Sequence, residues 1–258
     1  MNVKPKLQMA LAITALLTAC GGGSRGSSAN PTPSPTPPPT PTLNATELQG
    51  RWVTAMGTTP AQTDLIVPTE LDSQKMEMWQ LTSNLQTMSK MALSTSGSDG
   101  VGAYGKQYTL GSTASPVDVS YTGSVNLTSN TLWLSNPSQQ LTLNRTNDLK
   151  TQANLVYVSG AWNASPEGTI WTSWNVTDDG LLTGSSSTGC SYNGQLTTKS
   201  NLSVLYVSVS EICLGVTQHF RGVATYQLAQ GASTSATSMT LVSTSDDGNA
   251  ALVILFTR

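Results

Sequence analysis

The sequence predicts an all-β protein: two tandem small antiparallel meander barrels, of about eight strands each, after a segment that forms no core. Three observations carry that expectation. From residue 45 onward, apolar residues recur with a period of two in short runs such as Val117 to Leu127, Gln140 to Leu143, Leu202 to Val209 and Ala251 to Phe256. Strongly charged residues are only 10% of the chain, while Ser, Thr, Asn, Gln and Gly are abundant, a balance that suits strands and turns better than amphipathic helices. The third is a repeat. Leu48-Gln-Gly50-Arg-Trp52 returns 110 residues later as Val158-Ser-Gly160-Ala-Trp162, and each copy opens a stretch ending in an apolar strand with an arginine, Arg145 or Arg258.

In chain order, Lys4 and Lys6 precede an apolar run from Leu7 to Ala19 that ends in small residues before Cys20, the pattern of a secretory signal peptide. Thirteen helical residues rise about 20 Å, less than a hydrocarbon core of about 30 Å, so a cleaved leader is expected rather than a permanent span. Residues 20–44 run through GGGSRGSSAN and PTPSPTPPPTPT and should form a disordered tether. Pro31 to Pro41 would extend about 34 Å as polyproline II. The expected divisions are therefore 1–19 leader, 20–44 tether, 45–150 first barrel and 151–258 second barrel. Glu70 to Met91 mixes both periods and is read as two strands joined at Ser83-Asn84. Asp99-Gly100, Asp179-Gly180 and Asp247-Gly248 mark hairpins, since glycine accepts positive φ.

Cys190 and Cys213 form an even pair once Cys20 is set aside, and a disulfide is expected in an oxidising compartment. A turn at Thr198 to Asn201 sets Cys190 opposite Cys213, Leu196 opposite Val207 and Tyr192 opposite Glu211. The loop would add about 3 kcal/mol in the chain-entropy model. In that register Tyr192 and Glu211 share the face of the cysteines, which makes them a candidate polar feature of a ligand pocket or, alternatively, a satisfied pair at the barrel rim.

Leu17-Thr18-Ala19-Cys20 resembles the lipobox of bacterial lipoproteins. The resemblance implies diacylation of Cys20, with palmitate or similar chains, and removal of the leader. Gly21 in place of Asp implies, within that family, forwarding to the outer membrane, with the folded part in the periplasm or at the surface. The two Gly-x-Trp modules resemble lipocalin-like small β-barrels. There the first-strand indole, here Trp52 or Trp162, sits at the closed end under a last-strand arginine, here Arg145 or Arg258. Each module is short for a lipocalin, which leaves less room for a ligand.

Several chemistries are excluded. Without the leader, 10 basic residues face 14 acidic ones, and no basic patch suits nucleic acid. GSDGVGAYGKQ (97–107) has a phosphate-loop spacing, but Gln107 stands where Ser or Thr is needed and a strand follows instead of a helix. His219 is the sole histidine and has no acidic neighbour in sequence, so neither a triad nor a histidine metal site is expected. Asp178-Asp179 and Asp246-Asp247 read as solvated turns rather than calcium ligands. Trp171, Trp174 and Tyr157 could build an aromatic platform, although Trp171 and Trp174 have opposite strand parity. No catalytic residue, metal or cofactor is expected. The expectation is a non-enzymatic, membrane-anchored binding module for a small apolar molecule or an envelope partner. The alternatives are a structural or interaction lipoprotein with side-chain-filled barrels, or a hydrolase inhibitor.

Overall fold

The structure, a computed structural model, describes residues 41–55, 61–146, 149, 151–165, 170–228 and 235–258. The expected leader, Cys20 and the expected tether up to residue 40 lie outside them. Two closed eight-stranded antiparallel barrels follow one another along the chain. The first contains β1 (Gly50–Thr54), β2 (Gln62–Pro68), β3 (Met76–Thr82), β4 (Thr87–Ser96), β5 (Gly100–Thr109), β6 (Val117–Asn126), β7 (Thr131–Asn136) and β8 (Gln139–Thr146). The second contains β9 (Gly160–Ala164), β10 (Thr172–Val176), β11 (Leu181–Ser186), β12 (Ser191–Thr198), β13 (Leu205–Cys213), β14 (Val216–Leu228), β15 (Ala236–Ser245) and β16 (Ala251–Thr257). Each strand pairs with its neighbours in sequence, and closure comes from β1 against β8 and β9 against β16.

Both barrels close their first-strand end in the same way. A short 3-10 turn, Ala45–Leu48 or Leu155–Tyr157, is capped by Asn44 or Asn154, whose side-chain oxygen accepts from the N–H two residues on. The turn leaves carbonyls pointing at the barrel mouth it covers. Trp52 Nε1 donates to Leu48 O at 2.9 Å, and Trp162 Nε1 to Val158 O at 2.7 Å. Arg145 then lies over the Trp52 ring at 4.5 Å and donates to Glu47 O, while Arg258 lies over Trp162 at 4.3 Å and donates to Tyr157 O and Ser159 O. Glycine is required two residues before each indole. Gly50 and Gly160 adopt φ of +146° and +105°, and an added Cβ would meet Arg145 Cγ at 3.5 Å or Arg258 Nη1 at 3.2 Å.

The composition boundary at residue 44 is corrected by these contacts. Leu43 is buried in the first core and its N–H donates to Gly97 O, so the folded part begins before Asn44. The turns mostly follow expectation. Gly180 and Gly248 take positive φ in their hairpins, and β3 and β4 flank the turn at Ser83-Asn84. Gly100 differs: Gly97 takes the positive φ, and Gly100 starts β5 where a Cβ would strike Ser96 O at 2.7 Å. Among the described residues no helix is long and apolar enough to cross a membrane.

Each barrel has its own interior. Trp52, Ile66, Met76, Met78, Met91 and Leu143 belong to the first core, and Trp162, Trp174, Leu196, Val207, Leu241 and Phe256 to the second. A third apolar cluster joins the barrels from outside. Leu65, Val67, Trp79, Met88 and Tyr108 of the first meet Leu202, Val204, Tyr206, Val223 and Val242 of the second, with Leu149 of the connection among them. Strand alternation makes this division: Ile66 turns inward while Leu65 and Val67 turn to the other barrel. Tyr206 Oη donates to Pro68 O at 2.6 Å across the same interface.

Candidate functional site

The hairpin of β12 and β13 has the expected register: Tyr192 opposes Glu211, Leu196 opposes Val207 and Thr198 opposes Leu205. Beyond its open end, Cys190 and Cys213 form the disulfide, with Cα atoms 4.3 Å apart. Tyr192 is buried, faces inward and donates to Glu211 Oε1 at 2.8 Å. Burial and this bond push its phenol up to about 12, so it stays a neutral donor at physiological pH. Glu211 and both cysteine sulfurs lie within 4.8 Å of one another, but the sulfurs are bonded to each other and are not available as thiolates. The phenol–carboxylate pair is therefore satisfied internally.

The aromatic platform does not form. Trp174 is buried in the second core, 4.7 Å from Phe256 and 5.7 Å from Tyr192 between ring centroids. Trp171 stands outside, before β10, and Tyr157 packs edge-on against Tyr226. The parity conflict noted in sequence resolves with one indole inside. His219 is exposed, and its Nδ1 meets Ser210 Oγ at 2.8 Å. Among the described residues no carboxylate bonds the other ring nitrogen. Asp179 and Asp247 sit in the hairpin turns, their carboxyls held below the usual range by the Thr177 and Ser245 hydroxyls respectively. Asp246 instead pairs with Arg221 at 3.2 Å.

Two features were not singled out from the sequence. The first is an open groove of about 440 Å³ where the barrels meet. Glu77, Lys90, Tyr104 and Lys106 line it from the first barrel, Arg221 and Asp246 from the second. Lys90 pairs with Glu77 at 3.6 Å and lies over the Trp79 ring at 4.6 Å, while Arg221 reaches Glu70 at 3.4 Å. Lys106 stands directly opposite Lys90 on the neighbouring strand. Its Nζ donates to Gly248 O at 3.3 Å, and it makes no ion pair with a described residue. Like charges directly opposed across strands are unfavourable. Tyr104, 61% exposed, offers an aromatic face beside them. The groove can hold a polar partner through charge, hydroxyl and ring contacts together.

The second feature is inside the first barrel. Gln62, Asp64, Gln80 and Ser89 are all buried and polar, on three adjacent strands. Gln62 Nε2 donates to Asp64 Oδ2 at 3.3 Å, and Ser89 Oγ to Gln80 Oε1 at 3.4 Å. Asp64 Oδ1 and Gln80 Nε2 have no hydrogen-bond partner among the described groups. Burial lifts the Asp64 carboxyl to about 7; the Gln80 amide, opposite it but outside hydrogen-bonding geometry, and the bonded Gln62 amide pull the other way. Its parity with Ile66 was the available signal, but Leu65 and Val67 made the other face of β2 equally apolar.

The chain matches no protein-family model, no curated protein and no solved structure. The functional reading therefore rests on the residues and their geometry.

Proposed function

We propose that this chain is an exported lipoprotein, anchored through Cys20, whose paired barrels act as a non-enzymatic interaction module for a partner in the cell envelope. The observation that carries the reading is the groove between the barrels, lined by charged side chains from both and by aromatic ones from the first. Neither barrel alone supplies that lining. Of the earlier alternatives, side-chain-filled barrels fit best: Trp52 and three methionines occupy the first interior, and Trp162, Trp174 and Phe256 the second. An internal apolar guest draws less support from such packing. The residues that bear on a hydrolase inhibitor are the same groove residues, and they favour no particular enzyme.

The test has two arms. Anchoring is measured by detergent-phase partition of cell fractions: the unaltered chain enters the detergent phase and Cys20→Ser leaves it. Recognition is measured in cells with a photo-crosslinking residue at Tyr104, compared with the same residue at Thr128 on the β6–β7 turn. One defined adduct at Tyr104, lost with Lys106→Glu, supports the groove. Equal labelling from both positions removes it. Native mass spectrometry of the purified chain addresses the other reading, because a retained small apolar molecule would return the binding role to the interior.

A further inference from the structure

Asp64 is an ionisable group deep in the first barrel with no opposite charge beside it. It is 0% exposed on the inner face of β2, and only one of its oxygens accepts a bond. Its surroundings are neutral strand by strand. Trp52 of β1 and Gln80 of β3 stand directly opposite it, Gln62 shares its strand, and Ser89 of β4 stands opposite Gln80. Tyr121 of β6 is coupled to it, its phenol raised first by burial and then by the Asp64 charge. Arg145 of β8 is coupled to Glu47 rather than to Asp64. Glu77 and Lys90 pair with each other and line the groove outside the barrel. A buried carboxylate with no cation is tolerated as the neutral acid or with water admitted to it.

We propose that Asp64 is a proton switch for the first barrel and for its union with the second: protonated, it lets β2 and β3 pack dry, and ionised, it draws in water and loosens them. The coupling follows from alternation along the same two strands. Asp64 and Gln80 face the interior, while Leu65, Val67 and Trp79, on the outer face, pack in the cluster that joins the barrels. Hydration on one side of β2 therefore relaxes the contacts on the other. The buried acid itself gives this switch its sign: higher pH opens it. The groove's partner plays no part in it, so the proposal stands apart from the function proposed above.

The experiment is hydrogen exchange of the full chain, read by mass spectrometry at pH 5.5 and 8.5 and corrected for the intrinsic chemical rate. Peptides covering β2 and β3 are expected to lose protection about tenfold or more at the higher pH, and those covering β10 and β11 to stay level. Asp64→Asn is expected to abolish the difference. An equal loss in Asp64→Asn, or no loss in the unaltered chain, overturns the proposal. Should Asp64→Asn fail to fold, carbon-13 titration of the unaltered chain decides: ionisation near neutrality supports the switch, and ionisation in the ordinary aspartate range overturns it.

Discussion

Trp52 and Trp162 are held by the same three-part arrangement of glycine, indole and arginine, and each part has a separate physical cause. Glycine supplies the backbone geometry, the indole fills the closed end, and the guanidinium covers the ring while bonding a carbonyl of the 3-10 turn, Glu47 O or Tyr157 O. Lysine cannot reproduce the planar, forked contact. Arg145→Lys should therefore lower stability by about 1–2 kcal/mol, measured by urea unfolding. An unchanged midpoint would show that the stacking contributes nothing. Asp64 sets the pH dependence at this scale. Its folded-state value of about 7 lies above the ordinary 3.8, so the native state holds the proton more tightly than the unfolded chain. The stability this contributes is complete below about pH 4 and is lost as pH rises through about 7. Melting temperature should fall across that window by roughly 10 °C, and Asp64→Asn should flatten the fall.

Hairpins β12–β13 and β3–β4 show what an element adds beyond its residues. Pairing of β12 with β13 brings the cysteines together, and the cross-link closes a 23-residue separation. The double variant Cys190→Ser, Cys213→Ser should lose about 3 kcal/mol, seen as a lower unfolding midpoint that added reductant does not shift further. A reductant-sensitive midpoint in that variant would contradict the assignment of the stabilisation to this bond. Tyr192→Phe should cost about 1 kcal/mol, because it leaves Glu211 without its phenol donor. The β3 strand explains why its period was ambiguous in sequence. Met76 and Met78 face the core and Trp79 the other barrel, while polar Glu77 stands outside and polar Gln80 inside, so neither face is uniformly apolar or polar.

At the scale of the molecule, the two barrels belong to one compact unit, joined by apolar contacts and by the Tyr206–Pro68 bond. Val223 and Val242 are buried in that junction from the second barrel. Val223→Asp places an unpaired charge there and should separate the barrels while leaving each interior intact. Small-angle scattering should then show a larger radius of gyration, and a single unfolding transition should divide into two. Should the radius stay constant, the junction does not hold the barrels together. Separation would also dismantle the groove, since Arg221 and Asp246 would leave Lys90 and Lys106.

Sequence alone determined the strand-and-turn class, the doubling into two modules, the register of β12 against β13 and the Trp–Arg pairs. These follow from local alternation, turn chemistry and a repeat, all of which act over a few residues or recur at fixed spacing. The repeat reached further than Gly-x-Trp, for Asn44 and Asn154 cap matching turns. Which face of β2 and β3 lies inside was decided only by the tertiary structure, because the first barrel buries its outer wall against the second and removes the polar face that alternation needs. The outer burial of β2 and β3 and the groove between the barrels depend on that one packing event, which joins residues more than 130 positions apart, whereas Trp174 is placed by the closure of the second barrel itself.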